Sequence, residues 1–280
     1  MKQGIYYAPV NHPRLGDDLT HPWKYEVPAY RVCPHVWNVG GNDDVCVYLF
    51  DTGEGLMLID SGYHTSLYLV IDRIHRIGFD PRDIKKILLS HWHGDHVNGA
   101  AALQALSGCE IWISKEDEAN HQKFKDLEGF LPTVDYTATH FYTDEPVTLG
   151  RFSIQPVLTP GHTPGSTSFR WTDTDDVTGE TFRCAMHGGI GIPFMRPDLL
   201  QKFGNYPEDA HRFVRDCMGE VGDWEVDIAT PSHLNQGNVL ENIPEDKTDY
   251  RVWIAPQYWK ECLHDRAQGV MEYYPEVYKV

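Results

Sequence analysis

A chain of 280 residues with 41% hydrophobic and 12% aromatic side chains has the means to bury a large core, and this is not the composition of a disordered protein. A formal charge of −17 argues against a nucleic-acid partner, because phosphate contacts require clustered Lys and Arg. The longest apolar runs, such as Val45 to Phe50, are strand-sized and far short of the ~20 residues a membrane helix needs, so a membrane partner is not expected either. A small-molecule substrate is the expectation that remains.

Met1 to Tyr7 lacks the apolar core and small-residue cleavage site of a signal peptide. A cytoplasmic location is therefore expected, unless a leader has been trimmed. Cys33, Cys46, Cys109, Cys184, Cys217 and Cys262 are scattered without a CxxC pair, which fits reduced thiols. Residues 1–29 read as an extension packing on the domain, and 30–280 as one domain.

In chain order, Tyr30–Trp37, Val45–Asp51 and Gly55–Asp60 read as short strands separated by Gly and Asp turns. Leu67, Leu69, Val70, Ile74 and Ile77 recur at helical spacing, predicting a helix over 65–77 that stops at Gly78. Ile84–Ser90 is a buried strand leading into a histidine cluster. A helix over 98–106, closed by Gly108, and a strand over 110–114 follow. Residues 116–142 read as a long connection of the kind that forms lids. Strands over 151–157, 166–171 and 181–186, a helix over 207–218, a short strand over 226–230 and a last helix over 256–273 complete the pattern. Two such half-sets suggest two sheets packed face to face with helices outside, an α/β fold.

The cluster is His91-Trp92-His93-Gly94-Asp95-His96. Side chains two apart on an extended segment point the same way, so His91 and His93 can share one ion. Asp95 and His96 turn the other way and suit a second. Imidazole is the common zinc ligand, and one carboxylate fits beside it. His162, on the Pro- and Gly-held loop Thr159–Gly165, and His233, after Thr230-Pro231-Ser232, supply a third ligand each. The expected sets are His91, His93 and His162 for one ion, and Asp95, His96 and His233 for the other. Three ligands per ion leave room for a shared hydroxide. His187 aside, the other histidines read as ordinary surface or core residues.

HWHGDH resembles the HxHxDH signature of the metallo-β-lactamase superfamily, and Leu58-Ile59-Asp60-Ser61-Gly62 resembles its upstream aspartate-glycine turn. GHTPGS at 161–166 and His233 follow in the family's order. The resemblance runs from about residue 30 to residue 235. It implies an αββα sandwich with two zinc ions along one edge. The chemistry implied is attack of a metal-bound hydroxide on the carbonyl of a cyclic amide, ester or lactone. Asp95 would hold the second ion and orient the nucleophile, and Asp60 would support a ligand imidazole.

Many members carry an aspartate that bridges the two metals, but here that region reads Met186-His187-Gly188-Gly189-Ile190-Gly191. The absence resembles the third subclass of metallo-β-lactamases and its non-antibiotic relatives. Those lactamases place serines where Gly189 and Gly191 stand, to hold the substrate carboxylate; serine at both positions is expected to raise β-lactam turnover. His187 is a candidate to replace one donor. Trp92 is a candidate for the site mouth, and Phe130 and Tyr136 for the substrate wall. The competing expectations are a mononuclear iron oxygenase acting on persulfides, a thioesterase, a hydrolase without an antibiotic role, and a metal-binding scaffold without catalysis.

Overall fold

In the computed structural model, residues 20–125, 134–237 and 239–278 are described. Strands β1 (Tyr30–Cys33), β2 (Val36–Asn38), β3 (Tyr48–Asp51), β4 (Leu56–Ile59), β5 (Ile84–Leu88), β6 (Glu110–Ile113) and β7 (His140–Phe141) form one sheet in that order. Neighbours are antiparallel up to β4 and parallel from β4 to β7. Strands β8 (Val147–Leu149), β9 (Phe152–Leu158), β10 (Thr167–Thr174), β11 (Thr181–Met186) and β12 (Ile228–Ala229) form the second sheet, in order β12-β11-β10-β9-β8. Only β11 and β12 pair in parallel there.

The two-residue period of a strand sorts the first sheet into two cores. Tyr48, Phe50, Met57 and Ile59 face the second sheet and join Phe152, Phe169 and Trp171. The Phe50 ring lies 5.0 Å from Phe152 and 5.1 Å from Trp171, in edge-to-face contact. Truncating a ring held this way costs about 3–5 kcal/mol. Leu49, Leu56 and Leu58 point outward, against Leu67, Val70 and Ile74 of α1 (Leu67–Arg76). After the short α2 (Gly94–Val97), Ala100 and Leu103 of α3 (Ala100–Ser107) add to that layer. On the far side, Ala185 meets Phe213 and Cys217 of α5 (Pro207–Met218), once α4 (Lys115–Phe124) has been passed. The short α6 (Val239–Asn242) precedes α7 (Tyr258–Met271), whose Trp259, Leu263, Ala267 and Val270 complete that layer. The stack is helix, sheet, sheet, helix: the αββα sandwich.

Several boundaries differ from the pattern-based expectation. Tyr30–Trp37 is a hairpin rather than one strand, because Pro34 cannot donate to a ladder and the chain turns at 34–35. The supposed long connection at 116–142 begins with the helix α4. Its side chains are almost all polar, so apolar periodicity could not reveal it. The signal that it did carry is Ser114, whose hydroxyl accepts from the Asp117 amide at 3.1 Å as a helix cap. Strands β7 and β8 are short and were not anticipated.

Of the amino-terminal segment, residues 1–19 lie outside the described residues. The remainder contacts the first sheet and α1: the Val27 amide donates to the Gly41 carbonyl at 3.0 Å, and Arg73 Nε donates to the Val27 carbonyl at 2.9 Å. All six cysteines are free and buried. No helix among the described residues is long and apolar enough to cross a membrane.

Candidate metal centre

One edge of the sandwich collects the carboxyl ends of strands from both sheets. Asp60 follows β4, His91, His93, Asp95 and His96 follow β5, and Ser114 follows β6. From the second sheet, His162 follows β9, His187 to Gly191 follow β11, and His233 follows β12. Backbone bonds stitch the two edges together: Thr167 N donates to Ser90 O at 2.8 Å, and Cys46 N to Ser232 O at 2.9 Å. Residues more than a hundred positions apart thereby reach one cleft.

Six side chains converge there in two groups, His91 with His93 and His162, and Asp95 with His96 and His233. Within each group the potential ligand atoms lie within 4.8 Å of one another. Hydrogen bonds on the far side of the rings fix which nitrogen faces the cleft. His96 Nδ1 lies 2.8 Å from Asp60 Oδ2, and His233 Nδ1 lies 3.0 Å from Asp44 Oδ1. His162 Nδ1 lies 2.7 Å from the Gly191 carbonyl. These oxygens only accept, so each Nδ1 carries the proton and each Nε2 presents a lone pair. His91 Nδ1 lies 3.0 Å from Ser90 Oγ, which donates onward to Asp60 at 2.8 Å.

The result is a convergence of acceptors. His96 Nε2 and His233 Nε2 face each other at 3.2 Å, with Asp95 Oδ2 at 3.2 and 3.4 Å from them. His91 Nε2 is buried without a hydrogen-bond partner in the structure. Lone pairs and a carboxylate brought together in this way could hold a cation, and imidazole with one carboxylate is a donor set that suits zinc. The residues therefore fit two such ions.

The electrostatics agree. Burial pushes the imidazoles of His91 and His93 well down, and that of His162 to about 4, so all three are neutral and available to a cation. For Asp95, burial opposes ionisation, but His96 and His233 outweigh it and hold the carboxyl far below its usual range. For His96, burial opposes charge, while Asp95 and Asp60 raise it to about 10.

Asp60 accepts from Ser90 N at 2.7 Å, from Ser90 Oγ and from His96. Among the described residues it is the one non-glycine with positive φ, 62°. That left-handed conformation costs an aspartate about 1–2 kcal/mol, and it is retained where the carboxylate meets three donors.

Other site candidates fall elsewhere. Trp92 is not at the mouth: it is fully buried in the outer core of the first sheet, stacked on Phe124 at 5.7 Å. The alternation that aims His91 and His93 at the cleft aims Trp92 away from it. Tyr136 is buried in the same core, stacked on His121 at 4.5 Å, rather than lining a wall. Phe130 lies outside the described residues. His187 is buried among Phe213 and Trp259, with Nδ1 accepting from Gly189 N at 3.2 Å; burial pushes it to about 3. Gly189 and Gly191 back the His162 ring, so closely that a Cβ on either would sit 2.8 or 2.9 Å from a ring atom.

Sequence reasoning missed three residues. Asp44 holds His233. Phe194, half-buried, lies 4.9 Å from the His93 ring and 5.0 Å from His162, forming an apolar wall beside the first group. Asp117 is fully buried and accepts from Trp92 N at 3.1 Å, Thr163 Oγ1 at 2.6 Å and Gly165 N at 2.8 Å. It clamps the two loops that carry His91, His93 and His162. Its one sequence signal was the cap pattern from Ser114 to Asp117.

Comparison with known proteins bears on this geometry. Residues 40–177 match the model of the metallo-beta-lactamase superfamily, a span that includes the cluster and His162 and leaves His233 outside. An uncharacterized protein of Bacillus subtilis is 29% identical over 52% of this chain and 64% of its own length. A hydroxyacylglutathione hydrolase of Haemophilus influenzae is 28% identical over 52% of this chain and 68% of its own. An N-acyl homoserine lactonase of a Bacillus species is 27% identical over 44% and 56%. The chain thus spans between about half and two thirds of the length of these curated relatives. Among solved structures, a metallo-beta-lactamase of Elizabethkingia meningoseptica superposes with a TM-score of 0.79 at 21% identity, covering 98% of this chain and 99% of that one. A subclass B3 metallo-beta-lactamase of Bradyrhizobium japonicum gives 0.74 at 21%, covering 92% and 96%. Matched over residues 40–177 by the family model and across nearly its whole length in fold, and carrying the histidine cluster at the strand ends, this chain resembles the metallo-β-lactamase superfamily.

Proposed function

We propose that this chain is a dinuclear zinc hydrolase that opens a cyclic amide, ester or lactone. The observation that carries the proposal is the pair of three-residue groups, with the Nε2 atoms of His96 and His233 facing each other at 3.2 Å beside Asp95. The names of the relatives, an N-acyl homoserine lactonase and a hydroxyacylglutathione hydrolase among them, support hydrolysis as the class. When bound, zinc supplies a Lewis acid and lowers the pKa of water towards ~7.

The chain's own residues prepare that chemistry. Asp60, Asp44, Ser90 and the Gly191 carbonyl hold the Nδ1 protons, keeping the Nε2 lone pairs aimed into the cleft. Asp95 offers a carboxylate to the second group and would orient the attacking water. Phe194 shields His93 and His162 and offers an apolar surface to the substrate. With Gly189 and Gly191 behind His162, that stretch of wall has no side-chain donor for a substrate carboxylate, which favours a neutral lactone or ester over a β-lactam.

A second reading has one observation in its favour. Asp95, His96 and His233, taken alone, are two imidazoles and a carboxylate, a donor set that also suits non-haem iron. The adjacent three-imidazole group favours zinc instead. The test is a panel of lactones, thioesters and β-lactams assayed with wild type and His96→Ala. Turnover of at least one cyclic substrate, lost in the variant, is expected; equal inertness of both on every substrate removes the hydrolase assignment.

A further inference from the structure

His91 and His162 of the first group differ from His96 and His233 of the second in what stands behind their rings. In the first, His91 leans on the Ser90 hydroxyl and His162 on the Gly191 carbonyl, both uncharged. In the second, each imidazole leans on a buried carboxylate, Asp60 behind His96 and Asp44 behind His233, and Asp95 adds a third within the group itself.

Asp44 is built to stay in place. Its amide donates to Asn42 Oδ1 at 2.9 Å, and its carbonyl accepts from Leu234 N at 2.8 Å, next to His233. The Tyr63 hydroxyl donates to Oδ2, leaving Oδ1 for His233 Nδ1 at 3.0 Å. Both Asp44 and Tyr63 are buried, so water does not screen the charge. The chain segment joining β2 to β3 is thus bonded directly to the segment after β12.

We propose that Asp44, braced by Tyr63, is a positioning residue that makes Asp95–His96–His233 the tighter of the two metal sites. A carboxylate behind an imidazole fixes its tautomer and makes Nε2 a stronger donor to a cation. His91 and His162 have no such direct partner. Metal then loads in order: the group with three carboxylates fills first, and the three-imidazole group fills at higher free metal. The inference rests on the assignment of the six side chains to two metal sites.

The test is competition between a chromophoric chelator and the full chain, stripped of metal and titrated with zinc. Wild type is expected to show two steps, the tighter one matching the single step of His91→Ala, in which only the second group is intact. Asp44→Asn keeps an oxygen for His233 Nδ1 but removes the charge. It is expected to weaken the tighter step about 10–100-fold and leave the weaker one in place. That retained step also reports that the variant has folded. Tyr63→Phe should shift the same step by less, without touching charge. Two wild-type steps with neither moved by Asp44→Asn, or with the weaker one moved, would overturn the proposal. A wild type that takes up one ion or none would instead remove the two-site assignment beneath it.

Discussion

His162 and Gly191 are in contact on two sides of one interaction: Nδ1 lies 2.7 Å from the Gly191 carbonyl, and a Cβ on Gly191 would sit 2.9 Å from the ring's Cε1. A Cβ on Gly189 would be closer still, at 2.7 Å from the His162 Cβ. The absent side chains at these positions are what allows the imidazole to lie against the backbone.

A serine at 189 or 191 therefore displaces His162 before it can help any substrate. Gly191→Ser is expected to weaken binding at the first group by at least about 10-fold and to lower turnover of every substrate, β-lactams included. This reverses the expectation drawn from the lactamase pattern alone. Metal content and kcat/KM check it together. Improved β-lactam turnover with both ions retained would show that His162 can give way.

Asp117 joins the loop of His91 and His93 to the loop of His162 through three donors. Asp117→Ala leaves the amides of Trp92 and Gly165 buried without their acceptor, so a loss of about 2–4 kcal/mol is expected in denaturant unfolding of the metal-free protein. A loss below about 0.5 kcal/mol would mean that the clamp carries no stability.

His187 gives a pH prediction with a definite sign. Burial lowers its pKa to about 3 in the folded chain, against about 6.5 when unfolded. Between those values the unfolded chain binds more protons, so stability rises with pH. His187 thus contributes stability that is present above pH ~6.5 and lost as the pH falls through about 3. His91, His93 and His162 act in the same direction in the metal-free protein. Tm of chelator-treated protein should fall steadily on acidification below about pH 6.5, and His187→Asn should flatten part of that slope. An unchanged slope would place the acid sensitivity elsewhere.

Much of this organisation was legible before folding. The alternation in Tyr48-Leu49-Phe50 and Leu56–Ile59, and the helical period from Leu67 to Ile74, specify faces because each side chain must choose a core. HWHGDH was legible because its three histidines and one aspartate are local in sequence. Less so were groups whose role depends on distant backbone. Asp44 is one acid in a polar turn until β12 brings His233 to it, and Asp117 is one acid in a charged helix until the loop with Thr163 folds over it. Trp92 misled for the opposite reason: its neighbours in sequence face the cleft, and a one-residue step turns it into the core.

The most direct measurement of the central claim is elemental analysis of the purified chain, paired with lactone turnover before and after chelation. About two zinc ions per chain, with turnover lost on chelation and restored by zinc, is the result expected. One iron per chain with no hydrolysis, or lactone turnover indifferent to metal removal, would contradict it.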